Sequence, residues 1–212
     1  MSAGHGTGGG GSQVPSRTVL RLCLDVNVWV AYLLALQRGR TGTAPMRLVA
    51  MVRDGAAGEI PLQLTISREM LGTLERVLKR QGLPDRLAEG FPQVVDGLMR
   101  VGPEKLHPAM LTAGRDQLAM GDREDAGVLA FCIADRVDLL VTDNLVDFAT
   151  NDSERRDTQH VSRSNGTTRQ LFALFHERAD GVSLVVAHPI DAVQWLTTGF
   201  RPTAAALRQR YF

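Results

Sequence analysis

The 212-residue chain has only two cysteines, Cys23 and Cys132, and no CxxC pair, which argues against a thiolate zinc site. Both lie inside apolar runs, LRLCLDV and LAFCIAD, where a free cysteine packs as a small hydrophobe. The five histidines are scattered, with neither HxH nor HExxH spacing, so a histidine metal site is not expected either. No serine or cysteine stands in a nucleophile arrangement with histidine. Aromatic residues are 5% of the chain and show no base-stacking pattern of the RRM kind. The longest uninterrupted apolar run, Val28 to Leu36, is nine residues, far below the roughly 20 that span a bilayer. The N-terminus lacks the charged and apolar regions of a signal peptide. The expectation is a soluble cytoplasmic protein with no membrane partner.

What is present fits one globular domain. Hydrophobic residues make up 44% and charged residues 22%. Residues 1–16 hold six glycines in their first eleven positions and read as a flexible leader. The domain is expected over 17–200, with a C-terminal tail over 201–212. Net charge is +1 but unevenly placed. From Asp116 to Asp147 there are eight acids against two arginines, while the remainder carries 22 basic and 15 acidic residues. An acidic segment in a mildly basic body suits a cation-dependent enzyme acting on a polyanion, although solvated helix faces give the same pattern. Arginine supplies 22 of the 24 basic residues, a bias that suits phosphate but also follows from codon usage.

Apolar periodicity alternates strands with helices. VLRLCLDV, IPLQLTI, VDLLVT and VSLVVA read as strands. VWVAYLLALQRG, Pro45 to Arg53, REMLGTLERVLKRQG with Ser67 as its N-cap, EDAGVLAFCIADR and PIDAVQWLTTG read as helices. TRQLFALFHERADG is also expected to be helical, and the polar stretch 150–166 to be an exposed insert loop. A short terminal helix is expected in the last ten residues. Alternation of this kind implies an α/β fold with a mostly parallel sheet, in which ligands gather beyond the carboxyl ends of the strands.

Acidic residues stand at those ends. Asp25 closes the first strand with Asn27 beside it, and serves equally as helix cap or as metal ligand. Asp143 closes the third, followed by Asn144 and Asp147. Asp125 lies in the first turn of the preceding helix, three residues after Asp122. Convergence of these acids at one sheet end, with no histidine or cysteine, gives oxygen-only ligation suited to Mg²⁺ or Mn²⁺. Such clusters support phosphodiester hydrolysis.

LCLDVNVWVAYLL, ISREMLGTLERVLKR and DREDAGVLAFCIADRVDLLVTDNLVDF resemble, in order, the blocks of PIN-domain proteins. These are metal-dependent nucleases that include the ribonuclease toxins of toxin–antitoxin pairs. The resemblance spans Leu20 to Phe148 and implies a three-layer α/β/α sandwich. It further implies an endoribonuclease that hydrolyses RNA with a Mg²⁺- or Mn²⁺-activated water, a possible antitoxin partner and a possible homodimer. By resemblance Asp25, Asp125 and Asp143 are the catalytic acids, with Asp122 ahead of Asp125. Asn27, Thr142 and Asn144 are supporting polar groups, and Asp143 or Asp147 supplies the fourth acid. The sequence departs from the family at Thr73, where a glutamate is usual. Glu69, one turn earlier on the same helix face, is the candidate substitute, its alternative being an ordinary first-turn acid, whereas Glu75 turns away.

Two other classes fit parts of the pattern. DVNVW with the later TDNLVDF superficially resembles haloacid-dehalogenase phosphatases, but Asn27 stands where their second acid is required. Thr73 and Asn144 instead fit a catalytically degenerate binding or regulatory module on the same fold. The basic residues Arg155, Arg156 and Arg163 of the insert are candidates for backbone contact with RNA, or simply for a solvated loop.

Overall fold

The computed structural model describes residues 18–110, 123–162, 166–177, 181 and 183–211. The leader 1–16, Asp122 and Arg163 lie outside them. Strand β1 (Leu20–Leu24) is followed by helices α1 (Val26–Gln37) and α2 (Ala44–Asp54). Next come β2 (Ala56–Ala57), β3 (Ile60–Leu64), α3 (Arg68–Arg80), α4 (Asp85–Val101) and α5 (Arg123–Ala134). After β4 (Leu139–Val141) and a 3₁₀ turn (Leu145–Phe148) come β5 (Glu154–Ser162), β6 (Thr168–Glu177), β7 (Ser183–Ala187), α6 (Pro189–Thr197) and α7 (Ala204–Arg210).

The sheet order is β2-β3-β1-β4-β7-β6-β5. β3, β1, β4 and β7 run parallel, while β2, β6 and β5 join antiparallel. The architecture is the expected α/β sandwich, but the sheet is mixed rather than mostly parallel. β1 lies inside the sheet, between β3 and β4, and reads as a nearly continuous apolar strand because both of its faces are covered. Among the described residues no helix is long and apolar enough to cross a membrane.

Two elements depart from the sequence reading, and together they make the sheet mixed. Residues 168–177 form β6, not a helix. Leu171, Leu174 and Phe175 satisfy helical spacing, yet every residue from Leu171 to His176 is buried, as suits a strand with both faces covered. The expected loop 150–166 contains β5, whose alternating half-buried and exposed residues pair with β6. Its charged residues suit an outermost strand. β6 meets β7 only through Leu174–Glu177, whereas Thr168–Phe172 pair with β5 alone. The β5–β6 hairpin therefore runs on past the carboxyl ends of β4 and β7.

Helix starts follow the expected chemistry. Ser67 caps α3 by accepting a hydrogen bond from the Met70 amide. Thr203 caps α7 in the same way, and Ala204 and Leu207 bury that helix against the domain. Fully buried Gln63 ties β3 to the end of α4: its amide donates to the carbonyls of Leu64 and Met99, and its Oε1 accepts from the Glu104 amide. A Cβ at Gly102 would lie 2.5 Å from Gln63 Oε1. Gly102→Ala is expected to lower stability by about 1–3 kcal/mol, the usual cost of overpacking. Thermal unfolding would show this as a fall of several degrees.

Candidate active site

The ladder at the carboxyl edge continues one step past the strands. The Asp25 amide donates to Val141 O and the Thr142 amide to Ala187 O, so Asp25, Thr142 and His188 stand side by side. Asp25 is buried, 6% exposed, and caps α1. One carboxylate oxygen accepts from the Val26 amide at 2.7 Å. The other accepts from Asn27 Nδ2 at 2.7 Å and from Thr142 Oγ1 at 2.8 Å. Asn27 Nδ2 also donates to Thr142 Oγ1, which accepts the Asn144 amide as well. Asp25 thus acts as a helix cap while still lining open space.

Burial pushes the Asp25 carboxyl above the ordinary carboxylate range; the Thr142 and Val26 hydrogen bonds oppose this, and the nearby Asp147 charge adds to it. Because the folded pKa lies above the unfolded one, the folded chain holds the proton more tightly. Stability from this group is therefore present at low pH and lost as pH rises through the carboxylate range to the folded pKa. Asp25→Asn should raise the melting temperature of the metal-free protein at pH 7. The gain should vanish below the normal carboxylate pKa, as melting curves across pH would show.

A cleft of 820 Å³ opens between α1, α3 and the start of α5. Four carboxyl groups line it, from Asp25, Glu69, Glu124 and Asp125, together with the Asn27 amide. Each is there for a local reason. Asp25 follows the interior strand β1, Glu69 lies in the first turn of α3, and Glu124 and Asp125 lie in the first turn of α5, where helix dipoles favour negative charge. Thr73 lines the same cleft one turn beyond Glu69. Glu75 instead faces outward to Lys79 at 2.9 Å.

Asp143 behaves differently from its neighbours at the edge. Its amide donates to Asn27 Oδ1, which ties it to the site, but its carboxylate meets His188 Nε2 at 2.6 Å. His188 Nδ1 accepts the Ile190 amide while capping α6, so the ring proton sits on Nε2 and is donated to Asp143. Arg169, from the projecting part of β6, approaches the same carboxylate at 3.6 Å. Asp143 does not line the cleft. Asp147 is exposed and takes a hydrogen bond from the Asn144 side-chain amide.

Glu124, Arg76, His188 and Arg169 were not singled out by the sequence reading. Arg76 lies seven residues after Glu69, and a helical projection of α3 would have found it. Glu124 adjoins Asp125. His188 and Arg169 carry no local signal, since their role depends on contact with Asp143. Of the insert arginines, Arg155 lies 3.8 Å over the Phe172 ring and pairs with Asp157, and Arg156 pairs with Glu154. Both belong to the outermost strand.

The donor set of the cleft is oxygen only, which fits a hard divalent cation. Among the described residues, no three acidic, histidine or cysteine side chains are gathered closely enough to form a complete cage. Mg²⁺ needs none: it keeps several waters and commonly takes one or two carboxylates plus a substrate phosphate.

No curated protein matches the chain, and no solved structure does. A family model described as the PIN domain matches residues 21–145, from β1 to the residue that opens the 3₁₀ turn after β4. That match takes in the segments carrying Asp25, Glu69, Glu124, Asp125 and Asp143 and covers more than half of the chain; the protein belongs to the PIN-domain family.

Proposed function

We propose that the protein is a metal-dependent endoribonuclease that hydrolyses RNA phosphodiester bonds in the carboxylate cleft, and that it acts as the toxin of a toxin–antitoxin pair. PIN domains are generally nucleases. The observation that carries the finer reading is the gathering of Asp25, Glu69, Glu124 and Asp125 from three separate segments around one cleft. Asp25 and Asp125 would hold Mg²⁺ or Mn²⁺, with Glu69 in support. A cation bound there supplies charge that screens the phosphate and lowers the pKa of a water.

The chain's own groups do the positioning. Thr142 and Asn27 hold Asp25 in one orientation through three hydrogen bonds among themselves. Burial keeps that carboxylate poorly solvated and therefore receptive to a cation. Asp143, engaged by His188 and Arg169, holds the loop after β4 against α6 and the hairpin. Its assignment as a fourth acidic ligand requires release from those partners.

That engagement is also the observation favouring the second reading, a PIN-fold binding module without catalysis. Cleavage of end-labelled mixed RNA by purified protein separates the two. The nuclease reading expects products in Mn²⁺ or Mg²⁺ and none in EDTA. Intact RNA under every condition would leave the binding module.

A further inference from the structure

α3 places Glu69, Thr73 and Arg76 at i, i+4 and i+7, so the three share one helix face, and all three line the carboxylate cleft. Among the described residues that line the cleft, Arg76 is the only cation. Its Nη2 donates to Thr73 Oγ1 at 2.8 Å and to Glu124 Oε1 at 3.0 Å. Both ion-pair partners are exposed, with Arg76 at 63% and Glu124 at 55%. An ion pair so open to water adds little to folding and exchanges readily for a better partner. Phosphate is such a partner, because a guanidinium donates to its oxygens in the same forked geometry that it offers a carboxylate.

Seven residues of helix set Arg76 about 10 Å along the α3 axis from Glu69. The guanidinium itself leans back over Thr73 to Glu124, at the α5 rim of the cleft, so a phosphate held between Asp25 and Asp125 leaves that rim to the next phosphate of the strand. We propose that Arg76 is a substrate-binding residue that grips an RNA phosphate flanking the scissile one. Thr73 aims the guanidinium without adding charge, and Glu124 holds it until phosphate takes its place. This rests on the nuclease reading of the cleft and adds to it a direction for the strand, toward the α5 rim. The contact forms equally in ground and transition states, so it acts on KM rather than kcat.

The test compares two RNA substrates in Mn²⁺: a dinucleotide carrying only the scissile phosphate, and a pentanucleotide with phosphates on both sides. Arg76→Ala should raise KM for the pentanucleotide about tenfold, the scale of one lost charge-assisted bond. kcat should stay within about twofold, and both constants for the dinucleotide should be unchanged. The salt slope of pentanucleotide binding should fall by about 0.7, the value for one single-strand phosphate contact. Arg76→Lys should recover part of the loss. Arg76→Gln guards against a packing effect of alanine and should match it. Wild-type cleavage with unaltered kinetics in Arg76→Ala overturns the Arg76 assignment alone, as does an equal loss of kcat on both substrates. No cleavage of either substrate by the wild type overturns the nuclease reading and this assignment with it.

Discussion

Asp125→Ala is expected to lower RNA cleavage by roughly a hundredfold to a thousandfold while leaving RNA affinity equal or slightly higher. Metal-assisted charge stabilisation is worth several kcal/mol, at about 1.4 kcal/mol per decade of rate. The carboxylate lies in the first turn of α5 and lines the cleft together with Asp25 and Glu69. Its loss removes an oxygen donor without disturbing the sheet. It also removes one negative charge from a surface that must receive a polyanion, so binding in EDTA should not suffer. Cleavage and binding therefore separate in this variant. Parallel loss of both would point to misfolding, which the melting temperature would reveal. Full activity in Asp125→Ala would contradict the assignment of this residue.

The second large effect is on stability. Four carboxyl groups line one cleft, and the buried one among them, Asp25, is already reluctant to ionise. A cation that binds only the folded state adds about 2.7 kcal/mol when its free concentration is a hundredfold above Kd. For a chain of this size each kcal/mol moves the melting temperature by roughly 2–4 °C, so saturating Mn²⁺ should raise it by about 5–10 °C. Asp25→Asn should lose most of that rise, although its metal-free form should start higher. An unchanged melting temperature at millimolar Mn²⁺ would favour the non-catalytic module.

Much of this site was legible in the chain before any coordinates. The rule that ligands gather beyond parallel strand ends singled out Asp25 and Asp143; the resemblance to PIN domains marked Thr73, and helical spacing led from there to Glu69. These inferences depend on residues close in sequence, which is why they reach as far as position. They do not reach orientation. Asp143 stands where a strand-end acid is expected, yet its carboxylate faces His188, 45 residues later, because that imidazole caps α6. No local pattern encodes such a contact.

The same limit explains the hairpin. Leu171 to His176 fits helical and extended periods alike, and the choice is made by β7 on one side and β5 on the other. β5 itself is polar enough to pass for a loop until β6 takes up its amides. Arg76 failed to draw notice for a different reason. Its spacing from Glu69 was readable, but its ion pair with Glu124 crosses from α3 to α5 over 48 residues.

The most direct test of the central claim is to ask where a divalent cation sits. Fe²⁺ substituted for Mg²⁺, with ascorbate and peroxide, generates oxidising species that cut the backbone near the bound ion, and mass spectrometry maps the cuts. The account predicts cuts around Asp25, at the start of α3 near Glu69 and at the start of α5 near Asp125, all suppressed by excess Mg²⁺ and lost in Asp25→Asn. Cuts confined to other surfaces, or cuts at these three places that Mg²⁺ leaves unchanged, would contradict it.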